Sequence, residues 1–405
     1  MQRSGTNERT ERDGNGRPRL VRTAAPQYHE KIATHSLMWT ATLALLPAAA
    51  WGVFAYGPRA LLVLLLAAVS AVTAEALIAR SRVTLADGSA LLTGLLLGMM
   101  MPPAVPLFVV VAATLFAIGV VKWTFGGLGG NWLNPALAGR LFVHFSWPAA
   151  TTSWSLPRTL GADRLPGLNL TVDTVTTATP LGIVQHAVEQ GEALLGGPAV
   201  YLTSRGFPRS ELDTSVTTWL NETVLSQFGA HIPGGYIDPF VGNVPGAIGE
   251  GSAILLLLGT VVLFARRVIT WEIPAAFFTT FAVLTWAFGG LAYGADGFSG
   301  DVLFHLLSGG LILTLFYVAT DPVTTPMTTS GMLLFGAGVG LLTFLLRTYG
   351  GAAEGVALAV LVMNGCTPLL NRTLRPRRLG ERRFRLSRFL GGSSEKSALD
   401  PSAGI

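Results

Sequence analysis

Residues 87–106 read DGSALLTGLLLGMMMPPAVP. The stretch opens on small polar residues, runs through apolar ones interrupted by Gly94 and Gly98, and stops at Pro102 and Pro103. A plain membrane-crossing helix needs about 20 consecutive apolar residues, so this is a short, broken one. Such a break is tolerated at membrane depth only where protein or a water-lined cavity satisfies the freed backbone groups. Residues 305–326, HLLSGGLILTLFYVATDPVTTP, follow the same course from small polar residues into prolines.

Outward from these two segments, apolar runs lie near 36–56, 59–79, 104–124 and 134–148, and again near 249–265, 268–292, 330–347 and 352–370. Together with 87–102 and 301–320 they make about ten transmembrane helices in two sets of five, with a broken segment third in each. An odd number of spans per half inverts the second copy. Inverted repeats bring broken helices from both halves together near the bilayer midplane. The expected fold is therefore an all-α integral membrane protein: a first repeat at 34–148, an extracytoplasmic loop insertion at 149–247 and a second repeat at 248–371. Tails at 1–33 and 372–405 flank them.

Composition agrees. Of 405 residues, 50% are hydrophobic and only 13% charged, a balance that excludes an ordinary soluble enzyme. The single cysteine, Cys366, excludes an intrachain disulfide and cannot by itself ligate an iron–sulfur cluster.

Charge placement fixes an orientation. Seven of the 28 Lys and Arg fall in residues 1–31 and nine more between Arg372 and Lys396. Both tails read as cytoplasmic, with anionic lipid contact favoured over nucleic acid as the reason for the run RTLRPRRLGERRFRLSR. Arg80, Arg82, Arg266 and Arg267 fall on predicted cytoplasmic turns, whereas the predicted outer turn LAYGADGFSGD, 291–301, carries two Asp and no Lys or Arg. Arg59 and Arg347 are exceptions on the outer side. With five spans behind it, the insertion emerges outside, and its eight acidic and four basic residues suit that compartment.

Within the insertion lies VDTVTTATPLGIVQHAVEQG, 172–191. Thr179 before Pro180 reads as a helix N-cap, and the helix start also offers an anion site. On composition alone, capping explains every residue type here.

The same segment resembles the D-x-x-(S/T)-G-A-T pattern at which a flavin transferase esterifies FMN phosphate to a threonine hydroxyl. The surroundings carry the likeness further: KWTFGGLGGNWLNPALAGRLF (122–142), VGNVPGAIGEGSAILLLLG (241–259) and the run from His305 to Arg372. Over residues 30–378 the chain resembles the RnfD/NqrB family, the membrane proteins of Rnf electron-transport complexes and of the related Na+-translocating NADH:quinone reductase. The resemblance implies covalent FMN at Thr179, with Asp173, Thr176, Thr177 and Ala178 completing the motif. Thr177 stands where the family has glycine, and its β-branched side chain restricts the backbone of that turn. A second, noncovalent flavin (riboflavin) between the broken helices is also implied. So are partner membrane, flavoprotein and iron–sulfur subunits, and coupling to Na+ or H+ movement in a bacterial inner membrane.

Four further residues are singled out. Arg140, in NPALAGRLF, needs a partner in an apolar setting, either a salt bridge or a flavin phosphate or ring carbonyl. Asn134, like Asn131, either caps the broken helix or hydrogen-bonds a cofactor. Asp321 and Thr324 occupy the break in the second half and are candidates for cation coordination or gating, although Asp-Pro is also a turn signal. Glu250 and Asp87 read as helix-opening carboxylates, and His305 as a helix-packing histidine. The other histidines lack metal-site spacing, and the chain has neither a P-loop nor a GxGxxG followed by an acidic residue. Side-chain catalysis is not expected. The rival reading is a small-solute or ion channel of similar architecture without flavin.

Overall fold

The computed structural model describes residues 34–79, 86–160, 176–192, 194, 196–350 and 355–374. Both basic tails, Arg80, Arg82 and Asp173 lie outside the described residues.

Before the insertion come α1 (Thr34–Tyr56), α2 (Pro58–Ala79), α3 (Ser89–Met99), α4 (Leu107–Leu115) and α5 (Pro135–Ser146). Gly57, with φ +81°, makes the tight turn between α1 and α2. The α4 helix widens into a π-helical stretch, Phe116–Trp123. Within the insertion, α6 spans Pro180–Glu189. After it come α7 (Ala253–Ala265), α8 (Glu272–Ala292), α9 (Val302–Leu307), α10 (Thr329–Thr348) and α11 (Gly355–Thr373). Following α9 the chain breaks at Gly309 and Gly310, both at positive φ. It then resumes as Leu311–Leu313 and a π-helical turn, Thr314–Val318.

Among the described residues α1, α2, α8 and α10 are long and apolar enough to cross a membrane unaided. At 1.5 Å per residue, their 20 to 23 residues match a hydrocarbon core of about 30 Å. Large apolar side chains such as Leu43, Phe54, Leu65, Leu77, Leu258 and Val261 project outward from α1, α2 and α7, as lipid solvation requires. The chain is a largely helical membrane protein.

Small residues let the helices close on one another. A Cβ at Gly336 or Gly340 of α10 would come within 2.6 and 2.7 Å of the carbonyls of Ile273 and Phe277 on α8. Spaced four apart, these glycines form one face along which the two backbones meet. Gly94 does the same for α3 against the Ala67 carbonyl of α2. The two halves are joined where Ile248 N–H donates to the Met101 carbonyl, 3.1 Å, just past the end of α3.

The structure departs from an all-helical reading at one motif position. Thr176–Thr177, expected in a capping turn, form a two-residue strand, β2, paired antiparallel with β1 (Trp154–Ser155). A β-branched residue suits an extended backbone, and in the backbone register Thr177 pairs with Trp154. The insertion packs onto the second half through Leu181, Val184, Leu202, Tyr293 and Phe304.

Candidate functional site

Two polar constellations lie at opposite ends of the bundle. The first is at the end where α1 begins. Asn134 caps α5, its Oδ1 accepting from Ala136 N and Leu137 N at 3.0 and 3.3 Å, with Pro135 in the first turn. Its Nδ2 donates to Asp321 Oδ2 at 3.3 Å. Asp321 Oδ1 accepts from Val323 N, and Thr324 Oγ1 donates to Oδ2. Thr324 is held in turn by Thr367, whose hydroxyl donates to the Thr324 carbonyl at 3.0 Å. The start of α5 therefore meets the end of the second half's broken segment here, bringing Asn134, Asp321 and Thr324 together.

Asn134 and Asp321 border a cleft of about 760 Å3, counting its solvent-open part, lined also by Met38, Lys122, Asn131 and Phe316. A mostly apolar lining with a few convergent polar groups is the usual make-up of a cofactor site. Asn131 is buried and donates to the Leu133 carbonyl, while its Oδ1 has no partner among the described residues. A buried amide oxygen left in that state favours a ligand donor.

The second constellation is at the insertion end. Thr179 is the N-cap of α6: its Oγ1 accepts from Gly182 N at 3.0 Å. The side chain is 9% exposed, and Ala178 before it is exposed. Along the same helix, Gln185 Nε2 donates to the Arg347 carbonyl at 3.0 Å. Arg347 is buried and donates to the carbonyls of His305 and Gly309 at 2.7 and 2.6 Å. His305 Nε2 is hydrogen-bonded to the Tyr293 hydroxyl, while His305 Nδ1 and Arg347 Nε lack partners among the described residues. Leu181, Gln185, Tyr293, His305 and Arg347 line a second space of about 680 Å3, again including solvent-open volume.

Arg140 belongs to this end, apart from Asp321. It donates to the Thr151 carbonyl at 3.3 Å and shares a small cleft with Glu250, Gly309 and Gly310. Glu250, on the single turn Ile248–Glu250, accepts from Ala247 N, and its charge acts on both Arg140 and Arg347. A carboxylate whose charge reaches two buried guanidiniums is more than a helix-opening residue. Arg347 and Arg59 also cease to be anomalies of charge placement, since each is spent on carbonyls: Arg59 on those of Pro103, Ala104 and Val105. The only trace of this in the sequence is an arginine ending an apolar run on the wrong side.

Acidic side chains organise the rest of the insertion. Asp213 accepts from Gly235 N and Ile237 N at 2.8 and 2.9 Å. Asp238 accepts from Ser210 N at 2.8 Å and from the Ser210 hydroxyl. Burial pushes the Asp238 carboxyl above the usual carboxylate range, and the Ser210 hydrogen bonds oppose that rise.

Residues 21–380 match the model of the NQR2, RnfD, RnfE family. The chain belongs to that family. Curated relatives align nearly end to end. The D subunit of the proton-translocating ferredoxin:NAD(+) oxidoreductase complex of Clostridium ljungdahlii is 38% identical over 364 residues, 89% of this chain and 96% of that protein. The D subunit of the ion-translocating oxidoreductase complex of Stutzerimonas stutzeri is 38% identical, covering 85% of this chain and 91% of the relative. The D subunit of the Na(+)-translocating ferredoxin:NAD(+) oxidoreductase complex of Acetobacterium woodii is 34% identical, covering 89% and 95%. Both constellations of this NQR2, RnfD, RnfE family member fall inside the matched region.

Proposed function

We propose that the chain is the D subunit of an Rnf-type ion-translocating electron-transport complex, working beside membrane, flavoprotein and iron–sulfur subunits. The observation that carries this reading is the alignment, across both halves and the insertion, with proteins named as the D subunits of such complexes. In this reading the ten helical stretches are two inverted repeats of five in a bacterial inner membrane, with both termini cytoplasmic. The Asn134–Asp321 end then faces the cytoplasm and the Thr179 end the outside.

Covalent FMN at Thr179 is supported by local chemistry. The hydroxyl stands at the start of α6, where the positive end of the helix dipole favours a phosphate. The space along α6 offers His305 Nδ1 and Arg347 Nε as buried polar atoms with no partner among the described residues. A noncovalent flavin is assigned to the opposite cleft, where Asn131 Oδ1 awaits a donor. A bound flavin supplies the electron transfer, and the side chains hold, orient and shield it. Asn134 keeps the cleft wall rigid by capping α5, and Asp321 keeps a carboxylate beside it.

The test is intact-protein mass spectrometry of the chain produced with a flavin transferase. The expected result is a mass gain of one FMN less one water, absent in Thr179→Ala. An unmodified wild-type chain would remove the covalent flavin.

A further inference from the structure

Lys122 and Glu75 form an ion pair that neither the cap at Asn134 nor the break at Asp321 requires. The Lys122 ammonium donates to both Glu75 oxygens, at 2.9 and 2.7 Å, and to Ser89 Oγ at 2.7 Å. Ser89 Oγ donates to Asp87 Oδ1 at 2.6 Å, which leads from the buried pair toward the start of α3. Lys122 and Glu75 are each 1% exposed. Both also lie in apolar helices, α4's π-helical continuation and α2.

Burying two charges costs desolvation that their attraction only partly offsets, so such a pair is poor evidence of a stability role. Three features suit it to changing partners. Lys122 and Ser89 line the cleft that holds Asn131 and Asp321. Lys122 sits in π-helical backbone, a local widening found often at functional positions. The segment after it, which brings Leu128 and Asn131 to the same cleft, contains Gly126, Gly127 and Gly129 at positive φ.

We propose that Lys122 and Glu75 are an exchangeable counter-ion pair: negative charge arriving in the cleft draws the Lys122 ammonium, and Glu75 then takes a small monovalent cation in its place. No bond is made or broken and Lys122 stays protonated. Each negative charge placed in the cleft is matched by one cation held at Glu75, which is a stoichiometric link between the cleft and ion movement. The proposal rests on the cleft holding a redox group, as argued above.

Lys122→Gln leaves Glu75 in the state that the exchange would create. Purified Lys122→Gln chain is expected to melt about 2–4 °C higher in NaCl than in choline chloride if Na+ is the cation. If H+ is the cation, it is expected to gain a similar rise on acidification instead. Wild type and the double variant Glu75→Gln/Lys122→Gln show no gain in NaCl, and on acidification only the smaller rise that all three chains share. A Lys122→Gln chain that responds to both conditions as the double variant does overturns the proposal.

The second measurement uses the whole complex in inverted vesicles, with a potential-sensitive dye reading charge moved per electron. The double variant is expected to lose about tenfold of that ratio. A wild-type ratio overturns the exchange. A double variant that does not enter the complex also overturns it, since the pair then serves folding. A wild-type complex that generates no electron-driven potential sinks the proposed function itself, whereas the melting comparison tests Glu75 alone.

Discussion

Asn134 Nδ2 lies 3.3 Å from Asp321 Oδ2, so one side chain ties the start of α5 to the break that follows Val318. The same side chain caps α5 through its other atom, Oδ1. Asn134→Asp separates these roles. A carboxylate caps as well as an amide does, but it cannot donate, and it sets like charges together across the cleft. The expected result is a folded chain with a lowered melting temperature and impaired ion transport. Asn134→Ala loses the cap as well, at about 1 kcal/mol. If Asn134→Asp matched wild type in both measurements, the contact would have no role.

Glu250 sets up a second expectation. Its charge acts on Arg140 and Arg347, both buried. Glu250→Gln takes that carboxylate away from two buried guanidiniums, and weakening the counter-charge on buried arginines is destabilising. The purified variant is expected to melt well below wild type. A single variant as stable as wild type would show that Glu250 does not balance the arginines.

Much of the architecture is legible because lipid imposes simple demands. Long apolar runs mark α1, α2, α8 and α10, and Gly and Pro mark the two breaks. Asn134 and Asp321 are both visible as break residues, but their meeting is not, since 187 positions separate them. Arg140 and Asp321, each a polar residue beside a break, belong to different clefts. The Glu75–Lys122 pair leaves no periodic trace: each is one charge in an apolar helix, and only packing shows that they face each other. Thr177 reads in sequence as crowding a turn, whereas extended pairing with Trp154 gives a β-branched residue a setting it favours.

The insertion carries a pH dependence through Asp238. Burial raises its carboxyl above the ordinary value. An acid whose folded-state pKa is raised stabilises fully below its unfolded value, about 3.9, and loses that contribution as pH rises through the raised value. This residue therefore makes the insertion more stable in mild acid than at neutral pH. The fall in melting temperature from mildly acidic to neutral pH should shrink in Asp238→Asn, which has no carboxyl to ionise. An identical fall in both chains would exclude Asp238 as its source.

Thr179 has two separable duties, a cap and a proposed ester. As a cap, its Oγ1 accepts from Gly182 N, and Ser replaces Thr there with little loss while Ala costs about 1 kcal/mol. As an acceptor for FMN it needs only a hydroxyl on the same carbon, which Ser also supplies. Thr179→Ser should keep an ultraviolet-fluorescent band on a denaturing gel and a near-wild-type melting temperature. Thr179→Ala should lose the band and melt lower, and Thr179→Val should lose both while filling the same space. A fluorescent Thr179→Val chain would place the flavin on another residue and leave Thr179 with the cap alone.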